Sequence, residues 1–136
     1  MSFKVGDVVT EKIEITDEMV QLFAKVSGDF NPIHLDDEFA KKTKFGRRIA
    51  HGMLSGALIS RVLAMKLGPG GIYLGQNLKF LRPVHIGDTI EIKAKVLSID
   101  EEKGIGVIST NVWNQDGGVV IKGEATIMRA DKVPKA

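Results

Sequence analysis

The segment from His51 to Leu67 limits the possible folds of this chain more than any other. Met53, Leu54, Ala57, Leu58, Val62, Leu63, Ala64, Met65 and Leu67 put apolar side chains on nearly every face of a helix, and Ser55, Ser60, Arg61 and Lys66 are the polar residues in its body. A helix apolar all round is buried all round, so the rest of the chain has to wrap it. It falls short of the roughly 20 apolar residues a membrane helix needs. Gly68-Pro69-Gly70-Gly71 ends it, without the Gly-Lys-Ser/Thr of a phosphate-binding loop.

The wrapping material follows directly. Ile72 to Leu81 reads as a strand, closed by Pro83 and Gly87-Asp88. Thr89 to Val96 alternates polar and apolar with period two, Glu101-Glu102-Lys103-Gly104 turns, Ile105 to Trp113 is a further strand, Asp116-Gly117-Gly118 turns again, and Val119 to Met128 is the last strand. Ahead of the helix, Val8 to Thr16 ends in an alternating strand pattern. Thr16 then caps a helix carrying Met19, Phe23 and Val26, which Gly28 stops. Asp36, Asp37 and Glu38 open another short helix. The expected architecture is α+β, an antiparallel sheet curved around one buried helix. One sheet covers that helix on one side only, which points to a homodimer.

A chain of 136 residues is one domain's worth, and residues 1–136 read as a single unit. The N-terminal residues lack the apolar core of a signal peptide, so cytoplasmic residence is expected. There is no cysteine, which removes disulfides and thiolate chemistry. A net charge of +2 gives no basic excess for general nucleic-acid binding.

Chemistry concentrates before the buried helix. Asp29-Phe30-Asn31-Pro32-Ile33-His34 reads as a loop that sets a carboxylate and an imidazole on either side of a proline-stiffened turn. Such a pair can hold one water and act on it as acid and base. The same residues can instead serve the loop backbone through Asx turns. His51-Gly52 opens the helix, where free N–H groups suit an oxyanion, although Gly52 also serves close packing. Ser55 lacks the spacing of a nucleophile elbow, and serines in a buried helix commonly bond to the preceding turn. Asp29, His34, Asp36, Asp37 and His51 match no ligand spacing, so no metal is expected. Lys41, Lys42, Lys44, Arg47 and Arg48 form either a solvated face or a landing place for substrate phosphates.

Three blocks taken together resemble a known family. Ser27-Gly28-Asp29-Phe30-Asn31-Pro32-Ile33-His34, Arg48-Ile49-Ala50-His51-Gly52-Met53 and Tyr73-Leu74-Gly75-Gln76-Asn77-Leu78-Lys79-Phe80 are similar to MaoC-like dehydratases, and most closely to the short (R)-specific enoyl-CoA hydratases. The resemblance covers nearly the whole chain. It implies a hot dog fold, a homodimer with sites at the interface, and reversible syn hydration of a trans-2-enoyl thioester to the (R)-3-hydroxyacyl thioester, without metal or redox cofactor. It implies Asp29 and His34 as the catalytic pair, the Gly52 N–H on the thioester carbonyl, and Asn31, His51 and Ser60 in support. An acyl pocket is expected from Met53, Leu54, Leu63, Leu67 and Leu74, sized for short to medium chains. The cations would meet the phosphates of coenzyme A or of an acyl carrier protein. The competing readings are a 3-hydroxyacyl-carrier-protein dehydratase, a hot dog thioesterase and a non-catalytic acyl-CoA-binding protein. The Asp29–His34 block argues against the last two.

Overall fold

The computed structural model describes residues 3–136. The chain runs β1 (Val8–Glu14), α1 (Asp17–Ser27), α2 (Pro32–Leu35), α3 (Asp37–Lys41), α4 (Gly52–Val62) with a π-helical extension Leu63–Leu67, then β2 (Ile72–Phe80), β3 (Thr89–Asp100), β4 (Ile105–Trp113) and β5 (Val119–Met128). One antiparallel sheet has the strand order β1-β3-β4-β5-β2 and wraps α4 as a hot dog fold does. Irregular pairing at Tyr73/Gly75, Val96/Ser98 and Val112/Trp113 bends the strands where a flat sheet could not follow the helix.

Period-two patterning decides which face meets the helix. Ile90, Ile92, Ala94 and Val96 of β3 and Ile108, Thr110 and Val112 of β4 are fully buried. They pack with Leu54, Leu58, Ile59, Val62 and Leu63 in one core. Each such large side chain removed from water contributes about 1.5–3 kcal/mol.

Helix starts follow their capping residues. Thr16 Oγ1 accepts the Met19 N–H at 3.2 Å, and Gly28, at φ 77°, closes α1 in a left-handed conformation that a side chain would strain. The segment expected to be a plain loop contains a helical turn instead. Pro32 occupies the first helical position, where its missing N–H costs nothing, and Asn31 Oδ1 caps the turn by accepting the Ile33 N–H at 3.2 Å. Asp36 caps α3 in the same way.

Within one chain α4 is covered on one side, as expected for a single sheet. In a single chain Gly52, Met53, Ala57, Arg61, Ala64 and Met65 face outward, because the sheet covers one side of the helix. Exposed Ile72, Tyr73, Leu74 and Phe80 on edge strand β2 continue this uncovered apolar surface. Among the described residues no helix is long and apolar enough to cross a membrane.

Candidate active site

The α2 turn carries His34 into the interior, where its side chain is 8% exposed, while Asp29 stays at the surface just before the turn. His34 Nδ1 lies 2.7 Å from the Ile49 carbonyl oxygen. A carbonyl can only accept, so Nδ1 carries the proton and Nε2 is left for chemistry. Burial pushes the His34 imidazole below its ordinary pKa of 6.5; its bond to Ile49 opposes this, and neighbouring His51 adds to it. Asp29 Oδ1 accepts the Asn31 N–H at 3.2 Å, which fixes the carboxylate beside the turn.

Asp29, His34 and His51 each present an N or O atom within 4.8 Å of the others. Two groups hydrogen-bonded to one water at tetrahedral angle stand about 4.6 Å apart, so groups within this limit are close enough to share one water. A metal is a poorer fit. The His34 and His51 rings stack with centroids 3.9 Å apart and planes tilted by 30°, and near-parallel rings do not aim their lone pairs at one point.

The start of α4 forms the adjoining wall. His51 offers no side-chain cap, and among the described residues nothing accepts the Gly52 N–H. That free donor at a helix N-terminus is where developing negative charge is stabilised. A Cβ on Gly52 would come within 2.9 Å of the Phe80 ring, so a side chain there would push that exposed ring aside. These groups share a cavity of about 550 Å³, which Ser55, Lys44 and Arg82 also line.

Comparison with known proteins bears on this geometry. Residues 4–115 match the family model described as a MaoC like domain. The chain belongs to the MaoC-like dehydratase family. It is 44% identical over 109 residues to the (R)-specific enoyl-CoA hydratase of Aeromonas caviae, covering 79% of this chain and 81% of that protein. It superposes on the unliganded R-hydratase from Pseudomonas aeruginosa with a TM-score of 0.91 at 47% identity, covering 98% of this chain and 88% of that one. A mitochondrial 3-hydroxyacyl-[acyl-carrier-protein] dehydratase of Arabidopsis thaliana is 39% identical over 126 residues, 90% of this chain and 75% of that protein.

Within this MaoC-like site the structure brings Asp29, His34, His51 and Gly52 together as the sequence implied, and sorts the remaining candidates. Asn31 acts on the turn backbone. Ser60 is half-buried further along α4 and does not line the cavity, whereas Ser55, 1% exposed, does. Helical rotation explains this: four residues from His51 returns to the same face, nine does not.

The acyl-pocket expectation divides the same way. Met53 and Leu74 line a second hollow of about 660 Å³ with Phe23, Leu78 and Phe80, and Met53 and Phe80 also border the cavity at Asp29 and His34. Leu54, Leu63 and Leu67 belong to the core beneath the sheet and line neither. The cations also separate. Arg48 is committed to Asp37 at 2.9 Å, Asp17 at 3.1 Å and the His34 carbonyl at 3.3 Å, so it holds the α2 turn and is not free for phosphate. Lys41 pairs with Glu38, Lys42 is exposed outside the cavity, and Arg47 reaches the Ile86 carbonyl. Lys44 lines the cavity, as does Arg82, whose guanidinium donates to the Val119 carbonyl at 3.1 Å.

Sequence reasoning missed Arg82 and Phe80 because nothing in their local pattern connects them to residue 34 or 51. The Ala50 N–H donates to the Val84 carbonyl at 2.7 Å, and Ile49 bridges to His85. Those long-range contacts carry the segment after β2 to the mouth of the site.

Proposed function

We propose that this protein is an (R)-specific enoyl-CoA hydratase. The observation that carries the reading is the Asp29 carboxylate and His34 imidazole within 4.8 Å of each other, close enough to share one water, beside the Gly52 N–H that no described residue accepts. The enoyl thioester lies with its carbonyl at Gly52. The water between Asp29 and His34 loses a proton to the pair as its oxygen attacks C3, and the same proton returns to C2. Charge that builds on the thioester oxygen is held by the Gly52 N–H and the dipole of α4. Because both groups reach the alkene from one side, hydroxyl and hydrogen add to one face, which is syn addition. Addition of water is redox-neutral, so the chemistry calls for no redox cofactor, and the Gly52 N–H supplies the polarisation of the carbonyl.

In this reading the acyl chain runs past Met53 and Phe80 into the hollow bordered by Leu74, and short to medium chains suit it. Lys44 and Arg82 meet the phosphates of coenzyme A. The working unit is a homodimer: a second copy covers the outward face of α4 and pairs the free edge of β2, and a species of one chain's mass in light scattering at micromolar concentration would overturn this. A 3-hydroxyacyl-carrier-protein dehydratase is the second reading. It uses the same site in reverse, and the Arabidopsis relative favours it.

Crotonyl-CoA hydration followed by chiral analysis of the product tests the proposal. Formation of (R)-3-hydroxybutyryl-CoA is expected. Asp29→Asn and His34→Ala are each expected to lower turnover by about 100- to 10,000-fold with unchanged circular dichroism. Wild-type turnover in either folded variant removes that residue from the mechanism. A large preference for carrier-protein thioesters over coenzyme A thioesters selects the second reading.

A further inference from the structure

We infer that His51 is a positioning residue, which holds the Asp29 carboxylate and the His34 ring at the spacing of one bridging water. The inference rests on the hydratase reading above and adds to it a residue that does not touch the reacting atoms.

His51 precedes α4 and is 2% exposed. Its Nε2 lies 3.0 Å from the Asp29 carbonyl oxygen. That oxygen only accepts, so Nε2 carries the proton and a neutral ring leaves Nδ1 bare. Nδ1 is buried and has no partner among the described residues. Folded proteins rarely leave a buried polar atom unsatisfied, and such an atom calls for an explanation.

Its contacts supply the explanation. One face of the ring stacks on His34 at 3.9 Å, and Phe23 lies 4.9 Å away at an interplanar angle of 57°. The Ile49 carbonyl fixes His34 within its ring plane. Stacking against His51 limits its motion out of that plane. On the other side of the site, residues 29–31 are exposed and held by local turns: the Asp29 N–H donates to Ser27 Oγ, and the Asn31 N–H to Asp29 Oδ1. Among the described residues, the His51 bond is the one hydrogen bond that ties residues 29–31 to α4. One ring thus joins Asp29 by a hydrogen bond, His34 by stacking and Gly52 through the chain.

Two variants of the whole protein separate the two contacts. His51→Phe keeps a ring and removes the donor. His51→Gln removes the ring and keeps an amide N–H within reach of the Asp29 carbonyl. With crotonyl-CoA, His51→Phe is expected to lower kcat by about 100-fold, the cost of misplacing reacting groups by about an ångström, with KM within about twofold of wild type. Its melting temperature is expected to hold or rise, since the orphaned Nδ1 is gone. His51→Gln is expected to recover about tenfold of the lost kcat, the equivalent of the one hydrogen bond that its surviving donor keeps. A crystal structure of His51→Phe, which needs no activity, is expected to show residues 29–31 displaced from α4 with the His34–Ile49 bond intact. The inference is overturned by wild-type kcat in folded His51→Phe, by His51→Gln no better than His51→Phe, by a change confined to KM, or by an unmoved Asp29 turn. A wild-type protein inactive on enoyl thioesters would sink the hydratase reading instead, and the crystal structure would still decide the positioning role.

Discussion

Replacing Arg48 by methionine keeps the aliphatic stem and removes the guanidinium, so it asks what that charge does. Its side chain is 14% exposed, and its partners Asp17 and Asp37 are 51% and 74% exposed. Pairs this open to solvent contribute about 0.5 kcal/mol each. The bond from the charged guanidinium to the His34 carbonyl adds about 1 kcal/mol. The loss should be about 2 kcal/mol at pH 7, which for a chain of this size lowers the melting temperature by about 6–10 °C. Arg48 also holds the Asp17 carboxyl below its ordinary value of 3.8. A depressed carboxylate contributes stability that is present above its unfolded pKa and lost as pH falls through the folded one. The difference between wild type and Arg48→Met should therefore shrink below about pH 4, towards the share of the carbonyl bond alone. Calorimetry at pH 7 and pH 3 measures this, alongside KM for crotonyl-CoA at low and high salt. A wild-type melting temperature combined with a raised, salt-sensitive KM would refute the reasoning, because Arg48 would then be serving substrate phosphate.

Neutralising Lys44 and Arg82 together should raise KM for the coenzyme A thioester at low salt with little change in kcat, and the effect should fade at high ionic strength; steady-state kinetics at two salt concentrations reads it. Ile59→Ala, at a fully buried position of α4, should cost about 3 kcal/mol in urea unfolding. NMR titration should find His34 protonating below its ordinary pKa of 6.5. Since the unfolded chain takes up that proton first, the stability share of His34 is complete above about pH 6.5 and declines as pH falls towards the folded value, which pH-dependent urea unfolding checks.

Much of this protein is legible in its residues because the deciding forces are local. Thr16, Gly28 and Gly68-Pro69-Gly70-Gly71 punctuate their elements through capping and backbone freedom, and the period-two runs of β3 and β4 choose their buried face without outside help. Asp29 and His34 were visible as a pair because they lie on one turn. Tertiary structure decided what distant segments do to each other. The helical phase of α4 put Ser55 in the cavity, left Ser60 outside it and sent Leu54, Leu63 and Leu67 to the core. The distribution of carboxylates around α1 and α3 turned Arg48 from a candidate phosphate contact into the brace of the His34 turn. The backbone bond between Ala50 and Val84 carried Arg82 to the mouth of the site, and the fold brought His34 against one side of His51 and Phe23, steeply tilted, to the same ring. A residue's own propensities act over a turn or a strand, whereas these assignments depend on which surfaces meet after the sheet has closed over the helix, and that is written in no local pattern.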